Sequence, residues 1–297
     1  ARWSNVPGSL AVQGVRGLGG GIEYAIAADF CATLIPQFLD EPKPTCAQLR
    51  DAVRRALDRW SSGHPVLRFA EVSDRVRAEL PPPEVRDPWR GFGAEIDLFA
   101  LSPDTFPRVG RLGAVTGYSA LFASPLGTNG RSLSGATITS ADIVINARSC
   151  FHLDPGLSGR RCNHFESLVL HEIGHALDLH HPSENAHRNF DSDGDPYNVI
   201  PIDCPEPTRG LVLSRSIDER AVMNRGLGEA MPVLFGLSHD DLGGRNFHYP
   251  ICPSGRAAGG PGGGLAAGLL LYSVSVWSQV GTRSGPSRRQ EKRPRGP

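Results

Sequence analysis

The chain has 297 residues, of which 39% are hydrophobic and 21% are charged. This length is sufficient for one large domain or two unequal ones, and the composition is that of an ordinary globular protein. Lys and Arg together number 31, as do Asp and Glu, so the net charge gives no indication of a nucleic-acid or acidic partner.

The first half of the chain predicts strands and one amphipathic helix. Residues 45–62 place their apolar side chains on one helical face, and Thr45 followed by Gln48 forms a capping box at the start of this helix. Apolar or alternating runs predict strands at 20–30, 66–72, 94–100 and 137–146. The succession of strands and helices indicates the α/β (α+β) class, in which helices pack on a sheet.

The second half predicts two further helices. The first extends from Phe165 to about His180, with Asn163 as its N-cap and Glu166 at the capping-box position. Residues 182–237 are rich in Pro, Asp and Gly and predict irregular structure. A terminal helix is expected to begin at Ser238, where two acidic residues in the first turn complement the helix dipole.

Six cysteines are spread along the chain in local pairs, and none belongs to a CxxC motif. The lack of such a motif argues against a thiolate zinc site, and an even number favours disulfides formed in an oxidising compartment. Six cysteines allow 15 pairings. We predict nearest-neighbour bonds: Cys31–Cys46, Cys150–Cys162 and Cys204–Cys252. The alternative is a cytosolic protein with buried free thiols.

The segment HEIGHALDLHHP, from His171 to Pro182, has the strongest functional pattern. His171 and His175 are four residues apart, so a helix presents both imidazoles to one metal ion. Glu172 can reach a water molecule at the open position of that metal without being a ligand. His181 follows just after the expected helix end, where a short turn can bring a third imidazole to the same ion. Three histidines and one open position are typical of a catalytic zinc site.

This pattern resembles the metzincin zinc peptidases, and most closely the matrixin branch and its bacterial relatives. Met223, in the sequence AVMN, matches the methionine of the Met-turn in that family. The sequence GLSHDDLGGRNFHYP at 236–250 resembles the start of its terminal helix and the tyrosine that follows. One departure is Asp178, which stands where the family has a glycine at the helix end. Asp tolerates the left-handed conformation that this turn needs.

The resemblance implies a secreted zinc-dependent endopeptidase with a protein or peptide substrate. It implies that the three histidines hold Zn²⁺, that Glu172 is the general base, and that Met223 packs beneath the metal. It also implies a metzincin-like twisted mixed sheet, in which 141–146 (ADIVIN) is the edge strand that an extended peptide would join.

The expected domain organisation follows from the same resemblance. A catalytic domain at 1–252 contains the zinc helix at 164–180 and the terminal helix at 238–248. A Gly-rich linker follows at 253–264. The remaining segment, 265–297, combines an apolar run with a basic tail. This run is shorter than the roughly 20 residues of a membrane-spanning helix, so the segment predicts either a surface-sorting or membrane anchor or a disordered tail.

Closely spaced acidic residues after the zinc motif indicate a second metal site. Alternate oxygen ligands around a glycine-containing turn suit Ca²⁺. The candidate ligands are Asp191, Asp193, Asp195 and Asp203. A structural calcium ion would order the long loop between His181 and Met223. The alternative is a solvated acidic turn.

Three alternatives to this interpretation remain open. His180 lies beside His181 and could exchange roles with it. A gluzincin-type peptidase would use a distant glutamate, Glu206 or Glu219, as the third ligand. The chain could also be a calcium-stabilised surface or binding protein with a vestigial zinc site, although an intact Glu172 argues against this.

Overall fold

The computed structural model describes residues 1–4, 17–79, 93–110, 112–121, 136–158, 161–182, 218–224, 230–249 and 274–280. Four α-helices form within these ranges: α1 Phe30–Leu34, α2 Cys46–Ser61, α3 Phe165–Ala176 and α4 His239–His248. The strands are β1 Ile22–Ile26, β2 Phe69–Glu71, β3 Ile96–Leu101, β4 Ala114–Leu121, β5 Thr137–Asn146, β6 Phe151–His152, β7 Asn163–His164 and β8 Val274–Val280.

A mixed sheet forms the centre of the fold. Five strands follow the order β2-β1-β3-β5-β4, and β8 extends the sheet along the outer side of β4. Strands β2, β1, β3 and β5 are parallel, whereas β4 is antiparallel to β5 and to β8. The predicted α/β (α+β) class is therefore confirmed. The expectation that residues 141–146 form an edge strand is wrong, because β5 is paired on both sides.

Each face of the sheet is covered by a separate apolar cluster. Side chains of β5 alternate between the two: Ile143 and Ile145 belong to the larger cluster with the helices, and Val144 belongs to the smaller one. In the larger cluster, Trp60 of α2 is fully buried and donates a hydrogen bond from Nε1 to the carbonyl oxygen of Leu170 in α3 at 2.7 Å. Helices α2 and α3 are thereby fixed side by side on one face.

Helix α2 begins as the sequence predicts. The hydroxyl of Thr45 accepts a hydrogen bond from the backbone amide of Gln48, and the side chain of Gln48 accepts one from the amide of Thr45. Two of the amides that no helical carbonyl can reach are satisfied in this way. On the exposed side of the helix, Arg55 and Arg59 form ion pairs with the buried carboxylate of Glu166 at 2.7 and 2.6 Å.

Helix α3 differs from the prediction at both ends. His164, rather than Asn163, is the N-cap, and its ring accepts a hydrogen bond from the amide of Ser167. Glu166 does not complete a capping box, since its carboxylate is engaged by the two arginines of α2. The helix ends at Ala176, earlier than expected, because Asp178 adopts a φ of 66°. A left-handed residue cannot continue a right-handed helix.

Two of the three predicted disulfides are present, Cys31–Cys46 and Cys150–Cys162. The third, Cys204–Cys252, lies outside the described residues. The first bond joins α1 to the start of α2, and the second closes the loop between β6 and β7. Two disulfides are compatible with an extracellular protein.

The described helices include none with the length and apolar character needed to cross a bilayer. Strand β8 comes from the apolar run of the 265–297 segment and pairs over its whole length with β4. The remainder of that segment lies outside the described residues, so the anchor and the domain boundaries near it stay predictions.

Candidate metal centre

Three buried histidines converge at the end of helix α3. The Nε2 atom of His181 lies 3.2 Å from Nε2 of His171 and 3.1 Å from Nε2 of His175. The three rings are no more than 5% exposed, and their ligand atoms all lie within 4.8 Å of one another. This group could hold a metal ion, and among the described residues it is the one group of three metal-binding side chains that is close enough to do so.

In His171 and His175 the second ring nitrogen, Nδ1, is hydrogen-bonded to a main-chain carbonyl. Nδ1 of His171 donates to the carbonyl oxygen of Val222 at 2.5 Å, and Nδ1 of His175 donates to that of Leu179 at 2.7 Å. A carbonyl can only accept, so each Nδ1 carries the proton and each Nε2 carries a lone pair instead of a proton. Burial lowers the pKa of His171 to about 3 and that of His175 well below its usual value, which keeps both rings neutral.

A tight turn after α3 places the side chains of His180 and His181 in different environments. Asp178 takes the left-handed conformation expected of it, and two residues later His180 points outward with 59% of its side chain exposed. His181 turns inward to the other two rings and is 5% exposed. The geometry therefore favours His181 over His180 as the third ligand.

Asp178 is buried and is held by several groups around this turn. Its carboxylate accepts a hydrogen bond from the hydroxyl of Tyr118 and forms an ion pair with the amino group of Ala1. Burial alone would raise the pKa of Asp178, but a hydrogen bond from His180 and the nearby charges of His248 and the amino group hold it below its usual range. The carboxylate that replaces the expected glycine thus also ties the turn to β4.

Met223 lies in a turn packed against helix α3, as the sequence predicts for a packing residue. It is 2% exposed, and a methyl group added at Gly174 would lie 2.2 Å from its sulfur. Asp241 of α4 fixes this turn by accepting hydrogen bonds from the amides of Val222 and Met223 at 2.8 and 2.9 Å. Because the carbonyl of Val222 in turn orients His171, the terminal helix supports the histidine group from a distance.

Glu172 is completely buried beside the histidines. Its Oε2 atom accepts a hydrogen bond of 2.5 Å from the hydroxyl of Thr116 in β4. Oε1 has no hydrogen-bond partner among the described residues. Burial raises the pKa of Glu172 to about 8, and the hydrogen bond from Thr116 acts in the opposite direction. A buried carboxyl with one free oxygen is suited to accept and release a proton.

The other candidate ligands are not brought to this centre. Glu219 is exposed and does not belong to the histidine group, while Glu206 lies outside the described residues. The four proposed calcium ligands, Asp191, Asp193, Asp195 and Asp203, also lie outside them. Residues 141–146, which were expected to form the edge strand, are also not at the edge of the sheet. Strand β4 follows β5, and the outer side of β4 is paired with β8.

Sequence reasoning missed the contributions of Thr116 and Tyr118. Both belong to β4, whose sequence AVTGYSAL mixes small and apolar residues without a clear alternation. The strand was consequently not predicted. Residues two apart share one face of a strand, and here that face meets helix α3, so the two hydroxyls contact Glu172 and Asp178.

No protein-family model matches the chain, and no curated protein sequence matches it significantly.

Proposed function

We propose that this chain is a zinc-dependent endopeptidase of the metzincin type, with His171, His175 and His181 as the metal ligands and Glu172 as the general base. The observation that carries the proposal is the convergence of three buried Nε2 atoms next to a buried carboxylate that is not itself part of the group. This is the arrangement that the HExxH pattern and the later histidine were expected to form.

The donor set fits Zn²⁺. With zinc–nitrogen bonds of about 2.1 Å and tetrahedral angles, neighbouring ligand nitrogens lie about 3.4 Å apart. The two Nε2 distances to His181, 3.1 and 3.2 Å, are close to this value. The lone pairs of His171 and His175 both point towards His181, and such a group is stabilised by a cation between the rings. Neutral imidazoles favour zinc over calcium, which prefers oxygen ligands.

A zinc ion bound there would polarise the scissile carbonyl and lower the pKa of the attacking water. Glu172 would take a proton from this water at Oε1 and pass it to the nitrogen of the leaving amine. The positive charge of the ion would lower the pKa of Glu172 from the value that burial alone imposes, so the carboxylate would be ionised near neutral pH. Burial also removes competing water from the carboxylate.

The proposed substrate is an extracellular protein or peptide. The two disulfides support a secreted protein, since such bonds persist in oxidising compartments. Surface anchoring through residues 265–297 stays a part of this proposal, and no nucleic-acid partner is proposed because the net charge is zero.

Substitutions at the centre test the proposal. Glu172→Gln preserves the shape and all three imidazoles, so zinc content should stay near that of the wild type while casein cleavage falls by about 10²–10⁴-fold. His181→Ala should lower zinc content and activity together, because two imidazoles hold the ion weakly. His180→Ala is the matched control, and its effect on both should be mild because the His180 side chain is largely exposed.

The alternatives give different results. If His180→Ala releases zinc and His181→Ala does not, the third ligand has been assigned to the wrong histidine. If neither does so but Glu206→Ala or Glu219→Ala releases zinc, the protein is of the gluzincin type. Full activity of Glu172→Gln would refute the peptidase mechanism, and a zinc-loaded wild type that cleaves no protein would favour a binding protein.

A further inference from the structure

The contact between Thr116 and Glu172 joins two parts of the fold that are 56 residues apart in sequence. Thr116 is 1% exposed, and its position is set by pairing with Ile143 in the sheet. Glu172 is positioned independently by helix α3. The hydroxyl therefore reaches the carboxylate from a separate and rigid element.

The distances indicate which acceptor the hydroxyl uses. Its oxygen lies 2.5 Å from Oε2 of Glu172 and 3.2 Å from the main-chain carbonyl oxygen of the same residue. A threonine hydroxyl has a single proton to donate. The shorter separation lies within the usual range of about 2.5–3.0 Å for an O–H···O hydrogen bond, and the longer one lies beyond it. The carboxylate is thus the favoured acceptor.

This contact makes the two carboxylate oxygens of Glu172 different from each other. Oε2 is held by Thr116, whereas Oε1 is buried without a partner among the described residues. A glutamate side chain has three rotatable bonds, and a general base must keep its oxygen within hydrogen-bond reach of the proton that it removes. Fixing one oxygen to the sheet limits this freedom and leaves the other available to exchange a proton.

We propose that Thr116 is a positioning residue that holds Oε2 of Glu172 so that Oε1 alone exchanges the proton. This inference rests on the proposed peptidase function and extends it to a residue outside the histidine motif. During turnover an O–H bond of the water would break as the Oε1–H bond forms, and that proton would later move to the leaving amine. Oε2 would accept the hydrogen bond from Thr116 throughout.

Two substitutions separate this role from simple packing. Thr116→Val keeps the volume and removes the hydroxyl, and Thr116→Ser keeps the hydroxyl and removes a methyl group. Thr139→Val is the matched control, since Thr139 is also a buried threonine but lies on β5. All proteins would be compared by zinc content and by hydrolysis of a quenched fluorescent peptide taken from a casein cleavage site.

For Thr116→Val we expect kcat to fall by about 10–100-fold, as is usual when a partner of a metal-site residue is lost. KM and zinc content should stay near the wild-type values, because neither substrate contacts nor ligands are changed. Thr116→Ser should recover most of the lost kcat, and Thr139→Val should resemble the wild type.

Other outcomes would overturn the inference in recognisable ways. Wild-type kcat in zinc-loaded Thr116→Val would show that the hydroxyl is not needed. Loss of zinc together with activity in that variant, or no recovery in Thr116→Ser, would show that Thr116 supports the fold or the metal cage instead. If the zinc-loaded wild type hydrolyses no peptide at all, the proposed function itself fails, and that result is distinct from a loss confined to Thr116→Val.

Discussion

Substitution of Gly174 by alanine tests how closely the turn containing Met223 packs against helix α3. The added methyl carbon would lie 2.2 Å from the sulfur of Met223 and 2.8 Å from Cζ2 of Trp60. Ordinary contacts between such atoms are about 3.5–4 Å, so both neighbours would have to move. Neither can turn into solvent, because Met223 is 2% exposed and Trp60 is fully buried.

Two opposing effects determine the size of the change. Alanine is favoured over glycine inside a helix by about 1 kcal/mol. Overpacking of a buried site costs about 1–3 kcal/mol, and with two immobile neighbours we expect the upper part of this range. The net loss in the free energy of unfolding is then about 1–2 kcal/mol. For a domain of this size the melting temperature should fall by roughly 2–8 °C.

Thermal unfolding of zinc-loaded protein measures this change. Gly236→Ala is the control, since a methyl group there meets no atom within 4 Å, and its melting temperature should match the wild type. Zinc affinity of Gly174→Ala should also fall, because displacement of Met223 moves the neighbouring carbonyl that orients His171. A melting temperature equal to or above that of the wild type would refute the reasoning, because helix propensity would then outweigh the steric clash.

Three further predictions concern other parts of the chain. Asp97 and Asp142 are paired on the adjacent strands β3 and β5. Burial raises the pKa of Asp97 to about 7. Burial and the nearby charge of Asp97 together raise the pKa of Asp142 well above its usual value. A raised pKa in the folded state means that stability is lost as pH rises towards and through about 7. Urea unfolding should therefore show that Asp142→Asn is more stable than the wild type at pH 8, and an unchanged difference between pH 5 and pH 8 would contradict this. Removal of Ca²⁺ with Zn²⁺ retained should lower the melting temperature and expose residues 182–215 to proteolysis, and Asp193→Ala should do the same in the presence of calcium; identical melting curves would exclude the calcium site. Peptide mapping of unreduced protein should find three disulfides, and titration of two or more free thiols in folded protein would count against a secreted, oxidised form.

Local sequence was sufficient to predict the features that depend on neighbouring residues. The capping box of Thr45 and Gln48 and the start of α4 after Ser238 are both present, because a cap involves residues three apart. The two described disulfides join cysteines separated by 15 and 12 residues. His171 and His175 share one face of α3 because the helical repeat places them there.

The surroundings of helix α3, in contrast, depend on contacts between residues that are far apart in the sequence, and a local sequence pattern does not reveal such contacts. The strand order, and with it the interior position of β5, follows from pairing between segments far apart in the chain. Thr116 reaches Glu172 across 56 residues, and Asp241 reaches the amide of Met223 across 18. Polar residues of these types are common on strands and in the first turns of helices, so their sequence context does not distinguish them. Their partners are specified only when the sheet and the terminal helix pack around α3, because burial then requires each carboxylate to find a donor.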